Sequence, residues 1–116
     1  MSQIINFNQL NYKDFQQLVF RDKVPVVLVF EASWSGNSEI MRSMINRVSS
    51  KCNRNISYYF VDVDKEEEIA KLLGITYVPT TVLIKNGEIF EFIKGLLPSS
   101  KLNAKLDRFA NKQTQN

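Results

Sequence analysis

The sequence predicts an α/β fold: a central mixed β-sheet of about five strands flanked by four helices. Three observations carry that expectation. Strand-like runs alternate with runs at helical spacing in the order β-α-β-α-β-α-β-β-α. The run VPVVLVF (24–30) is continuously apolar and rich in β-branched residues, as suits a strand buried on both faces between helical layers. TTVLIKNGEIFEFIK (80–94) holds two strand-like runs joined by Asn86-Gly87, the strongest short hairpin signal, so antiparallel strands extend an otherwise parallel sheet.

The elements follow in order. Gln3 to Phe7 reads as a short strand. From Asn11, a plausible cap, Phe15, Leu18 and Val19 recur at helical spacing. After the 24–30 strand, Ile40, Met41, Met44, Ile45 and Val48 form one helical stripe, which Cys52 continues as packing rather than as a reactive thiol. ISYYFVDV (56–63) is the next strand. The short helix after it carries Glu66, Glu67 and Glu68 in its first turn, where the helix dipole favours acids. Ile69, Leu72 and Leu73 form its core face, and Gly74 closes it. Beyond the hairpin, Pro98 opens a last helix with Leu102, Leu106, Phe109 and Ala110 inward. A chain of 116 residues is expected to be one domain over 1–110, with a polar tail at 111–116.

Composition removes several classes of chemistry. The chain has no histidine, which excludes His-dependent acid–base catalysis and Ser-His or Cys-His nucleophile pairs. One cysteine allows neither an internal disulfide nor a thiolate metal cluster, so no metal and no cofactor are expected. Net charge is +3 with scattered lysines, which does not indicate nucleic-acid binding. No apolar run approaches a membrane span, and the N-terminus lacks a signal-peptide pattern. A cytoplasmic protein is the expectation, in which the sequon at Asn55 is incidental.

The stretch ASWSGNSEIM (32–41) follows the most apolar strand, where a strand-to-helix loop presents side chains and amides. Ser35, Asn37 and Ser38 are good residues for capping the helix it begins. Trp34, between Ser33 and Ser35, is expected to be partly exposed. Glu31 reads as a solvated residue at the strand end.

WSGNS (34–38), VPT (78–80), NG (86–87) and Gly95 together resemble the thioredoxin family, and Trp34 through Gly95 is in register with its bacterial pattern without a gap. The resemblance covers nearly the whole chain and implies the thioredoxin fold. The family carries Trp-Cys-Gly-Pro-Cys in this loop; here Trp34 and Gly36 match, while Ser35, Asn37 and Ser38 replace Cys, Pro and Cys. Pro79 matches the proline that the family holds cis. The family's buried aspartate and its neighbouring lysine read Val29 and Phe60, and its tryptophan ahead of the motif reads Glu31.

These departures carry the functional expectation. Exchange needs a low-pKa thiolate and a second thiol to resolve the mixed disulfide. Serine hydroxyls without a base cannot supply either. Apolar Val29 and Phe60 suit a protein with no proton to move. The resemblance therefore implies a redox-inactive interaction or assembly module. It would be a monomer or weak dimer, holding a protein partner such as an extended peptide segment. Trp34, Gly36, Asn37, Tyr77, Val78, Pro79, Gly95 and Leu96 are the expected contact residues. The alternative is an engineered Cys-to-Ser form, at 35 and 38, of a thiol–disulfide oxidoreductase.

Overall fold

The computed structural model describes residues 3–6, 12–21, 25–50 and 54–111. Phe7, Asn11, Cys52, residues 112–116 and the side chains of Leu18 and Val19 lie outside the described residues. Among the described residues nine elements follow in the expected order: β1 (Gln3–Asn6), α1 (Tyr12–Arg21), β2 (Val26–Glu31), α2 (Gly36–Val48), β3 (Ser57–Asp62), α3 (Glu67–Leu72), β4 (Thr80–Lys85), β5 (Glu88–Lys94) and α4 (Ser99–Asn111). The last helix thus runs one residue into the expected tail, and Pro98 precedes its first turn, accepting the amides of Lys101 and Leu102.

The strands form one five-stranded sheet in the order β1-β3-β2-β4-β5. β1, β3 and β2 run parallel, while β4 is antiparallel to both β2 and β5. Alternate residues of β2 serve opposite layers. Val27 and Val29 pack with Met41, Ile45, Tyr58, Phe60, Leu106 and Phe109 under α2 and α4. Val26, Leu28 and Phe30 pack with Phe15, Val61, Ile69 and Val82 under α1 and α3. Burial on both faces is what the unbroken apolar run demands.

Local chemistry sets the breaks. Asn86 and Gly87 both have positive φ (55° and 76°), the backbone of a type I′ hairpin turn. Gly74 (φ 66°) ends α3: its amide donates to Lys71 O and that of Ile75 to Ala70 O, the paired bonds of a Schellman cap.

Two expectations need correction. Ile40 is exposed, because the buried line of α2 runs Ser38, Met41, Met44, Ile45 and Val48, and Ile40 sits about 100° around the helix from Met41. Leu72 is likewise exposed; it edges an open apolar basin with Phe15 and Ile89. In β5 a bulge leaves Phe90 between the pairs Leu83↔Glu91 and Ile84↔Ile89, and Ile89, Phe90 and Phe92 are all exposed.

Candidate functional site

The strand β2 delivers the chain to the loop at Ala32, and hydrogen bonding then fixes it. Ser35 is the N-cap of α2 in extended conformation (φ −102°, ψ 112°); its amide donates to Ala32 O (3.1 Å). Its Oγ accepts the Ser38 amide at 3.1 Å, while the Ala32 amide donates to Ser38 Oγ at 3.2 Å. Ser38 is only 2% exposed. Of the three expected caps, Ser35 alone acts as one: Ser38 turns back to brace the strand end, and Asn37 points to solvent. Among the described residues neither hydroxyl is hydrogen-bonded to a titratable side chain; both hold backbone in place.

Behind the loop, Val29 and Phe60 are fully buried register partners on the adjacent parallel strands β2 and β3. Thr81 lies opposite Val29 on β4, and its buried Oγ1 has no partner among the described residues. Glu31 corrects the sequence expectation. Instead of being solvated, its carboxylate is held by the fork of Arg42, whose Nε donates to Oε1 at 3.1 Å and whose Nη2 donates to Oε2. The same guanidinium lies 4.0 Å over the Phe60 ring. Glu31 and Arg42 thus form an ion pair stacked on Phe60, and with Ser35, Ser38, Glu39, Asp62 and Lys65 they border a polar hollow of about 400 Å³ beneath the loop.

On the other side of the loop an apolar groove of about 330 Å³ is lined by Trp34, Val63, Ile75, Thr76, Tyr77 and Val78. Trp34 is 69% exposed and Tyr77 51%. The indole is nevertheless positioned: its Nε1 donates to Asp64 Oδ2 at 2.8 Å. Asp64 is in turn presented by a tight turn in which Asp62 Oδ1 accepts the amides of Asp64 (2.8 Å) and Lys65 (3.2 Å). The far wall is set by a cis Val78–Pro79 peptide, by Thr80 Oγ1 donating to Tyr77 O (2.6 Å), and by the Gly95 amide donating to Pro79 O (2.7 Å). Gly95 adopts φ 77°, which disfavours any side chain there, and its Cα faces the Tyr77 ring. Among the described residues the Val78 amide and carbonyl have no backbone partner, so this edge can pair with an extended chain.

Of the residues expected from sequence, the structure brings Trp34, Tyr77 and Val78 together in the groove, with Pro79 buried behind them and Gly95 beneath Tyr77. Gly36, Asn37 and Leu96 are not among its lining residues. Val63, Ile75 and Thr76 were not anticipated. The strand-and-loop pattern places Val63 and Ile75 beside the motif only once the pairing of β3 with β2 is known.

Comparison with known proteins agrees with this fold. The Thioredoxin family model matches residues 6–108. The chain is 36% identical over 95 residues to a thioredoxin of Malassezia sympodialis, covering 81% of this chain and 89% of that one. It is 29% identical over 105 residues to a mitochondrial thioredoxin of Mus musculus, covering 90% of this chain and 63% of that one. Among solved structures, thioredoxin NaTrxh from Nicotiana alata superposes with a TM-score of 0.82 at 25% identity, covering 94% of each chain. The Malassezia sympodialis thioredoxin structure superposes with a TM-score of 0.81 at 26% identity, covering 95% of this chain and 93% of that one.

Proposed function

Since the chain belongs to the thioredoxin family, we propose that it is a redox-inactive member that holds a protein partner in the groove beside Trp34. One observation carries the reading. The two positions where the family keeps its dithiol are occupied by hydroxyls that both accept backbone amides, Ser35 from Ser38 and Ser38 from Ala32. A hydroxyl engaged in this way neither attacks a disulfide nor resolves one. The packing behind the loop supports the same reading: Val29 and Phe60 are apolar and fully buried, and the Glu31 carboxylate, which shares a hollow with Ser38, is held by Arg42. What persists is the recognition surface: an exposed indole fixed by Asp64, the Tyr77 ring, and the open backbone edge at Val78.

In this reading the protein works as a monomer or weak dimer in the cytoplasm, and needs no cofactor. Among the described residues no helix is long and apolar enough to cross a membrane. A second reading, a disulfide reductase in which Ser35 and Ser38 replace cysteines, draws support from the thioredoxin names its relatives carry. Cysteine codons at 35 and 38 in the gene would establish that second reading.

The groove itself is tested by Trp34→Ala. The side chain is mostly outside the core, so thermal unfolding is expected to shift little, while partner capture in a quantitative pull-down falls by about tenfold, as for an aromatic anchor. Undiminished capture by the folded variant removes the groove from the account.

A further inference from the structure

The groove beside Trp34 is electrically lopsided. Its Val63 wall belongs to the segment 62–68, where Asp62, Asp64, Glu66, Glu67 and Glu68 accompany a single lysine, Lys65. The chain as a whole has the opposite balance, 15 basic residues against 12 acidic. This acidity meets the groove directly, because Asp64 holds the Trp34 indole. From there it runs along a shallow basin lined by Tyr12, Asp64, Glu66, Glu67 and Glu68, with Lys65 the one cation among its lining residues.

The helix dipole explains only part of the cluster. Glu67 and Glu68 lie in the first turn of α3, where acids are favoured. Asp62 and Asp64 precede the helix, and their carboxylates are placed by the turn and by Trp34. The crowding has a cost: the Glu66 carboxyl is pushed above its ordinary value, by burial first and then by the charge of Asp62. A surface that keeps like charges together beside an apolar groove selects its occupant by sign.

Building on the reading of the groove as a docking surface, we infer that its occupant is an extended, cationic segment of a partner protein. Its backbone pairs with the open edge at Val78, and an apolar side chain rests between Trp34 and Tyr77. Lysine or arginine side chains on the flank nearer α3 lie over the Asp64–Glu68 basin. An arginine there can also stack on the exposed indole face. The same field repels an acidic segment and a phosphate backbone. Because the carboxylates of Glu67 and Glu68 are exposed, the charge contributes more to selectivity than to affinity, and it weakens with salt.

The test is selection of the full chain against a displayed library of random nonapeptides, in parallel with Trp34→Ala and with the double variant Glu67→Lys/Glu68→Lys. Among binders of the wild type, lysine and arginine are expected to exceed aspartate and glutamate by roughly fivefold or more. That bias should disappear in the double variant, and selection as a whole should disappear in Trp34→Ala. Apolar, Trp34-dependent binders without a basic bias would overturn the charge inference and leave the groove standing. A basic bias that survives in the double variant would overturn the assignment to this acidic rim. Selection that never depends on Trp34 would overturn the groove reading and this inference together.

Discussion

Val29→Asp is expected to destabilise the protein by about 3–5 kcal/mol, a large part of the stability of a domain this size. The position lies at the centre of the sheet, fully buried, with Phe60 beside it on β3 and Thr81 opposite on β4. The Thr81 hydroxyl is a single neutral donor, which cannot offset the loss of a carboxylate's hydration. Arg42, whose guanidinium lies over the neighbouring Phe60 ring, is committed to Glu31. Urea unfolding at pH 7 should show the midpoint falling by about 2 M or more. The pH dependence gives a second check. Burial raises the folded pKa of the introduced carboxyl above its unfolded value. The penalty is therefore small below the unfolded pKa, near 4, and becomes complete only as pH rises through the folded pKa. A variant as stable as the wild type at neutral pH would mean that the space behind the loop still accommodates a charged acid, and that its apolar filling says nothing about lost chemistry.

Arg54→Ala should cost about 3 kcal/mol, and it tests the other end of the molecule. Arg54 is only 2% exposed, yet it is charged. It sits where β3 begins and ties three elements together: Nε donates to Asp107 Oδ1 (2.8 Å) and Nη2 to Asn103 Oδ1 (2.7 Å) on α4, with Nη1 reaching Val48 O at the end of α2. Truncation leaves those acceptors facing a void, while Asp107, half-exposed, returns to water. Burial already pushes the phenol of Tyr58 above its ordinary value, and the neighbouring guanidinium offsets part of that shift. With Arg54 removed, the folded-state pKa of Tyr58 rises further. Its contribution to stability is fully present below the unfolded value near 10 and is lost as pH rises through the folded value, so the variant should lose stability more steeply than the wild type above about pH 10. Equal urea midpoints for variant and wild type at pH 7 would show that the buried cation is dispensable.

How much of this was legible in the sequence depends on the range of the interaction. β2 could be read because a strand buried on both faces leaves an unbroken apolar run, and the hairpin because Asn-Gly satisfies two positive φ angles. The loop could be read because its residues are contiguous and in register with a known pattern. Features set by tertiary pairing could not. Glu31 and Arg42 are eleven residues apart, on a strand and a helix, and nothing local marks them as partners. Trp34 and Asp64 are thirty apart. Ile40 and Leu72 carry helical spacing that is consistent with a core face, but where the buried stripe ends depends on the neighbouring elements. The bulge at Phe90 has no Gly or Pro to announce it.

The most direct measurement is thiol-driven insulin reduction, followed as turbidity with dithiothreitol as donor. With serine at 35 and 38 there is no dithiol to cycle. The rate should equal that of dithiothreitol alone at every protein concentration. Acceleration proportional to protein concentration would contradict the account, because it would require exchange chemistry that neither hydroxyl can perform.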